Sequence, residues 1–303
     1  VSSYPVGFEQ QLDMFPLDFE EFLWGCGVSE EVISSLRQAY ETNSRVPDFL
    51  HEQMAVYLRQ FLIVGGMPEA VQAFINNHDL STTIRIQKNI VNSYRDDIAK
   101  YAANEKHLAK KVFDAIPEQL CKKDKRFVLA SLEKGASQRK YGDATEWLVD
   151  AGIAYFSFNV NTLELPFSFL EKRNLYKLFM LDTGLLCSMS LNEMQFFVLN
   201  GDIGINEGAL TENFVATELV KHGKKLNYYD KKSRQELDFI FNDGGKIGII
   251  EVKSGNDYQR HASLSAALNE YSQRIRRAIV LSKFNINTSD NVRYYPLYMT
   301  MFL

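Results

Sequence analysis

The tetrad Asn242-Asp243-Gly244-Gly245 constrains this chain more than any other stretch, because it separates two apolar runs, Gln235–Asn242 and Lys246–Lys253. Residues that tolerate positive φ, set between β-branched and aromatic runs, make a tight hairpin, so the two runs are expected to pair as antiparallel strands. That pairing decides which side chains can meet. Alternation along a strand places Glu236 and Asp238 on one face, with Leu237 and Phe239 on the other. On the second strand Glu251 and Lys253 share a face while Ile250 and Val252 point away. A carboxylate from each strand then converges beside a lysine, and Glu212, on the preceding helix, is a third candidate. Two or three carboxylates around one point form an oxygen-lined site suited to Mg²⁺ or Mn²⁺. A neighbouring lysine orients or deprotonates an attacking water and offsets phosphate charge, while the metal polarises the phosphoryl oxygen. These are the parts that phosphodiester hydrolysis needs. The candidate metal ligands are Asp238, Glu251 and Glu212, and the candidate catalytic set is Glu212, Asp238, Glu251 and Lys253.

Around this hairpin the last hundred residues read as α-β-β-β-α-β. A helix spans Asn206–His222, with Leu210, Phe214, Val215 and Leu219 on its apolar side. A strand at Lys225–Tyr229 precedes the hairpin; a helix at Ala262–Tyr271, a strand at Arg277–Ser282 and a final run at Arg293–Met299 follow it. Upstream, helical spacing dominates. Asp18 to Leu23 starts a helix with acids in its first turn, and Ile33, Leu36 and Tyr40 recur at helical intervals, as do Ile86, Ile90 and Tyr94. Gly65-Gly66-Met67-Pro68 forms a turn that opens a new helix, with Pro near its first position. From residue 105 a basic helix, Lys106–Ile116, is expected to stop near Pro117, and a second to begin around Phe127. A third spans Ser137–Ala151, with Tyr141, Ala144, Trp147 and Leu148 on one face, and ends at Gly152. Two apolar runs, Ile153–Val160 and Leu175–Leu181, bracket the Pro166 region. Three short helices followed by a two-stranded hairpin is the order of a winged helix. The expected fold class is therefore mixed: an α-helical N-terminal region (1–104), a winged-helix-like middle (105–204) and a C-terminal α/β unit (205–303).

Composition sets the partners this chain can have. With 303 residues and 46% hydrophobic content it can bury a sizeable core, and no apolar stretch approaches the ~20 residues that cross a bilayer. No membrane partner is expected. The net charge of −4 hides a gradient: residues 1–40 carry seven acids and one base, residues 104–140 ten bases and five acids. A nucleic-acid face, with DNA the favoured partner, would thus be local, at Lys122, Lys123, Lys125, Arg126, Arg139 and Lys140. The plainer reading of those charges is a solvated helix surface, with Phe113, Phe127 and Tyr141 filling the core. Three scattered cysteines and five scattered histidines have no metal-ligand spacing, which argues against zinc and fits a reducing, cytoplasmic compartment.

Asp238, a twelve-residue gap and then Glu251-Val252-Lys253 resemble the restriction-endonuclease-like PD-(D/E)XK superfamily. The helix Gly208-Ala209-Leu210-Thr211-Glu212-Asn213 is similar to its first core helix, where archaeal Holliday-junction resolvases carry an acid. The resemblance implies metal ligation by Asp238 and Glu251, with Glu212 beside them, and a water-activating role for Lys253. Leu237 stands where many members have Pro. A wider resemblance rests on Pro5-Val6-Gly7, the Pro16–Leu23 block, Gly65-Gly66-Met67-Pro68-Glu69-Ala70, Tyr94-Arg95-Asp96-Asp97-Ile98, Asp182-Thr183-Gly184-Leu185-Leu186 and Glu212-Asn213-Phe214-Val215. These blocks are similar to a prokaryotic ATPase family that joins an AAA-type P-loop domain to a carboxy-terminal domain of unknown function. The chain opens on Val1 and contains no G-x-x-x-x-G-K-[ST], so it resembles the portion that follows the P-loop domain. ATP is then expected only with that domain, which would be a partner of this portion in the longer protein.

Other motifs have structural readings. Gly65 to Pro68 lacks the Lys-Ser/Thr of a phosphate loop and reads as a helix-helix turn. Asp182 reads as the cap of the helix that begins near Leu185, and Arg95 as an ion-pair bridge between helices. Two functions remain open: a nucleic-acid-binding module with metal-dependent phosphodiester hydrolysis, and a non-catalytic regulatory or protein-interaction module of the ATPase.

Overall fold

The computed structural model describes residues 12–77, 79–101, 106–191, 195–199, 207–231, 235–289 and 291–303. Helices come first: α1 (Phe19–Gly25), α2 (Glu30–Thr42), α3 (Asp48–Val64), α4 (Pro68–Asn77), α5 (Leu80–Tyr101), α6 (Lys106–Cys121) and α7 (Gln138–Asp150). A hairpin of β1 (Ala154–Val160) and β2 (Lys172–Met180) follows, then α8 (Thr183–Leu191) and the short α9 (Gln195–Leu199). The remaining elements are α10 (Glu207–Lys221), β3 (Asn227–Asp230), β4 (Glu236–Asp243), β5 (Lys246–Lys253), α11 (Ala262–Tyr271), β6 (Ile275–Ser282), β7 (Asn287–Ser289) and β8 (Val292–Pro296). A 3-10 turn, Leu297–Phe302, closes the chain. From α10 to β6 the expected α-β-β-β-α-β order is present.

Local chemistry explains the element ends. Asp18 caps α1 in a full capping box: its carboxylate accepts the Glu21 N–H at 2.8 Å, and Glu21 returns the bond to the Asp18 N–H at 2.9 Å. Asp182 caps α8 through the Leu185 N–H at 2.8 Å, and its second oxygen accepts the Gly66 N–H at 2.6 Å. One buried carboxylate thereby ties the α3–α4 turn to α8. The turn is packed so closely that a Cβ on Gly65 would run into the Asp182 carboxylate, and one on Gly66 into the Leu17 carbonyl. Arg95 bridges α5 to Asp114 of α6 at 2.8 Å, on a half-exposed surface.

Two helix expectations are corrected. α6 runs through Pro117 to Cys121, because Leu120 and Gln119 are buried by that extra turn and the Gln119 side chain accepts the Val128 N–H at 3.3 Å. That burial and bonding outweigh the proline penalty. No helix begins at Phe127; its N–H donates to the Tyr176 carbonyl of β2 at 2.8 Å, and only a 3-10 turn, Leu129–Ser131, follows.

The described strands form one eight-stranded sheet in the order β2-β1-β3-β4-β5-β6-β8-β7. β1 pairs with β3 in parallel, so the hairpin of the middle segment continues the C-terminal sheet. The Asn242–Gly245 turn joins β4 to β5 as expected, in antiparallel register from Phe239↔Ile250 to Asp243↔Lys246. One sheet face sends Phe239, Phe241, Ile250 and Val252 into a core shared with α1–α8 and α10. The other sends Leu237, Ile240, Ile247 and Ile249 against Leu264 and Ala267 of α11. Leu237 and Phe239 thus lie on opposite faces, not together. Between Asn227↔Ile240 and Tyr229↔Leu237 the ladder advances two residues on β3 and three on β4, a β-bulge that contains Asp238.

Glu218 of α10 is fully buried beside the Phe19 N–H and 3.5 Å from Lys221 Nζ. Burial pushes its carboxyl up to about 7, against the partial opposition of Lys221. An acid with a raised folded pKa is bound to its proton more tightly in the folded chain, so stability is full below about pH 4.5 and falls as pH rises through about 7. The loss across that window is expected to reach about 3 kcal/mol. Urea denaturation at pH 4.5 and pH 8 checks this: Glu218→Gln should shrink the fall in stability between them by about 3 kcal/mol, and an unchanged fall would refute it.

Candidate active site

The bulge turns Asp238 toward β5. Its Oδ2 accepts the Val252 N–H at 2.8 Å, and one step beyond Phe239↔Ile250 the register sets Asp238 against Glu251. The two carboxyl groups are close enough for each to perturb the other. Glu251 is 3% exposed, and its Oε2 lies 3.4 Å from Lys253 Nζ. Burial and the Asp238 charge push Glu251 well above the usual carboxylate range, which Lys253 only partly opposes. Asp238 goes the other way: burial would raise it, but Lys177, Lys125, the Val252 N–H and Lys253 together hold it below its ordinary value. Glu251 is thus pushed toward its neutral form and Asp238 toward its charged form. Lys253 is held above the usual ammonium value by Glu251 and Asp238 against its own burial, so it is a cation.

Glu212 stands behind this pair on α10, with its side chain 6% exposed. Lys125 donates to its Oε1, and Lys177 lies 3.8 Å from its Oε2, an oxygen that accepts no hydrogen bond. Burial and Asp238 raise the Glu212 pKa, and the two lysines lower it without cancelling that rise. Lys177, on β2, is 1% exposed; it contacts Glu236 Oε1 at 2.8 Å and stands 5.1 Å over the Tyr228 ring. Burial alone would discharge it, yet Glu212, Asp238 and Glu236 together hold it charged.

Thus the four residues expected from sequence meet in one cluster, with Asp238, Glu251 and Lys253 in direct contact and Glu212 engaged by lysines. Sequence reasoning missed Lys177 and Glu236. The signal was present: a lysine between Tyr176 and Leu178, inside an apolar strand run, requires a partner.

The basic set falls apart by location. Lys125 turns inward to Glu212, Lys122 pairs with Glu118 at 2.9 Å, and Lys140 pairs with Glu133. Arg126 Nε lies 2.6 Å from Asp124 Oδ2, whereas Lys123 and Arg139 are exposed.

Among the described residues no group of three His, Cys, Asp or Glu side chains forms a ready metal cage. The Asp238–Glu251 pair still suits Mg²⁺ or Mn²⁺, ions that take one or two carboxylates and fill their remaining positions with water and phosphate oxygens. Glu212 Oε2, 3.8 Å from Lys177 Nζ, accepts no hydrogen bond. Charge fits as well. Glu212, Glu236, Asp238 and Glu251 outnumber Lys125, Lys177 and Lys253 by one, so the cluster has a surplus carboxyl group to offer a cation.

Residues 56–195 match the family described as Domain of unknown function (DUF8612), and residues 207–299 match Domain of unknown function (DUF4143). The latter is a domain typically found with AAA ATPase P-loop proteins. No match is found among curated proteins or among solved structures. None of the described helices is long and apolar enough to cross a membrane.

Proposed function

We propose that this chain is the nucleic-acid-processing portion of an AAA-type P-loop ATPase, and that its Asp238–Glu251–Lys253 centre hydrolyses a phosphodiester. The observation that carries this reading is the buried carboxyl pair, Asp238 in a β-bulge opposite Glu251, with the Lys253 ammonium 3.4 Å from Glu251. The α-β-β-β-α-β order and the twelve-residue gap between Asp238 and Glu251 support a restriction-endonuclease-like unit. α6, α7 and the β1–β2 hairpin are the parts of a winged-helix-like middle that are present, a 3-10 turn standing where the second helix would be, with Lys123 and Arg139 as its exposed phosphate contacts.

In this reading Asp238 and Glu251 hold Mg²⁺ or Mn²⁺, which supplies a more acidic water and neutralises phosphoryl charge when bound. Asp238 is already ionised and fixed by the Val252 N–H, so it needs no rearrangement to serve as a ligand. Lys253, held charged by Glu251 and Asp238, would orient the attacking water by donating a hydrogen bond and balance charge on the phosphate. Lys177 and Lys125 hold Glu212 in place behind the pair.

Calorimetric titration with Mn²⁺ tests the site. One ion per chain is expected, with affinity lowered at least tenfold in Asp238→Asn; equal affinity in the two chains would reject it. The second reading, a non-catalytic regulatory or interaction module, is favoured by the two lysines that already neutralise Glu212. Absence of Mn²⁺ binding would select it.

A further inference from the structure

A cavity of about 140 Å³ lies between α3, α10 and the C-terminal 3-10 turn. Leu58, Leu62, Leu210 and Leu297 make its walls apolar. It adjoins the carboxylate–lysine centre in two ways. Ser282, which lines it, is the register partner of Lys253 on the β5–β6 ladder, and Thr211, which also lines it, directly precedes Glu212 on α10.

Its polar edge is ordered. His51 Nδ1 lies 3.0 Å from the Tyr298 hydroxyl, and the ring also bonds the Lys283 backbone, so the imidazole is a fixed wall. Ser282 Oγ accepts the Phe284 N–H at 3.2 Å, which leaves its own O–H as a donor. Among the charged lining residues Arg59 and Lys283 are basic and Glu207 is acidic, with Lys283 near enough to act on Glu207, so the edge carries a small net positive charge.

We infer that this cavity takes one nucleobase of the strand whose phosphodiester lies at the Asp238–Glu251–Lys253 centre. The inference rests on the hydrolytic reading above for the position of that phosphate. The volume is comparable with the ~150 Å³ apolar cavity known to hold a benzene ring. Apolar walls with a few placed polar groups suit a planar heteroaromatic ring, as in sites that draw a base out of its stack. Arg59 and Lys283 suit the phosphates on either side of such a base.

The test uses the whole chain and fluorescent single-stranded DNA, with divalent ions withheld so that binding is read without cleavage. A series of strands carries a single abasic position moved stepwise along the sequence. One position is expected to weaken binding about tenfold, with little effect elsewhere. Ala55→Trp, which fills the cavity, should bind every strand as weakly as wild type binds that one. If Ala55→Trp does not fold, the wild-type series decides alone. No effect at any abasic position overturns the inference and assigns the cavity to an apolar side chain of a partner protein; failure to bind the intact strand overturns it too. Mg²⁺ or Mn²⁺ is then added. A position effect without cleavage keeps the nucleobase cavity and rejects hydrolysis, whereas cleavage without a position effect rejects the cavity alone.

Discussion

Replacing Lys177 with methionine is expected to lower stability by about 3–5 kcal/mol, the usual cost of removing one partner from a buried ion pair. The ammonium is 1% exposed and sits 2.8 Å from Glu236 and 3.8 Å from Glu212, two acids from different elements of the C-terminal segment. Methionine fills the space but leaves Glu212 inside the protein beside Asp238, with Lys125 as its remaining direct partner. Desolvated charge without compensation is the larger part of the penalty. The triple variant Lys177→Met, Glu212→Gln, Glu236→Gln should recover much of the loss, since it removes the stranded charges as well. Urea denaturation of the three chains decides: a loss below about 1 kcal/mol in Lys177→Met would refute the ion-pair account. Because β2 belongs to the middle segment, the same lysine ties that segment to the acid cluster. Its loss should therefore reach both parts together.

Lys253→Met should lower the cleavage rate constant about 10²–10³-fold, the typical effect of removing one preorganised charge from a reacting centre. Lys253 is not a ligand in this account, so Mn²⁺ affinity should change little. Its side chain is 32% exposed, so the fold should tolerate the change. Lys253→Arg keeps the charge and should recover part of the rate. An unchanged rate constant in Lys253→Met would remove the lysine from the reaction.

The cluster was legible where chemistry was local. The Asn242–Gly245 turn carries its own hairpin signal, and once it pairs β4 with β5, Asp238, Glu251 and Lys253 must lie at one end of those strands. α11 likewise has the bounds, Ala262–Tyr271, that its apolar spacing suggests. What escaped depends on distant partners. Strict alternation predicts Leu237 and Phe239 on one face, but the bulge forced by the β3 register separates them and aims Asp238 at β5. Pro117 looks like a stop until the contacts of Leu120 and Gln119 are known, and Phe127 looks helical until Tyr176 claims its N–H. Lys177 was hidden for the same reason: its partners lie 35 and 59 positions away in sequence, at Glu212 and Glu236. Parallel docking of β1 on β3 leaves no local pattern either.

The most direct test of the central claim is a cleavage assay on labelled single-stranded, duplex and branched DNA, with matched RNA. Mg²⁺ or Mn²⁺ is supplied, and the chain is compared with Glu251→Gln. Burial and Asp238 push Glu251 toward its neutral form, so glutamine is a close substitute there that removes a metal-binding oxygen. The account predicts cutting that requires the divalent ion and is lost in Glu251→Gln. No cutting by the unaltered chain, or equal cutting by both, would contradict it.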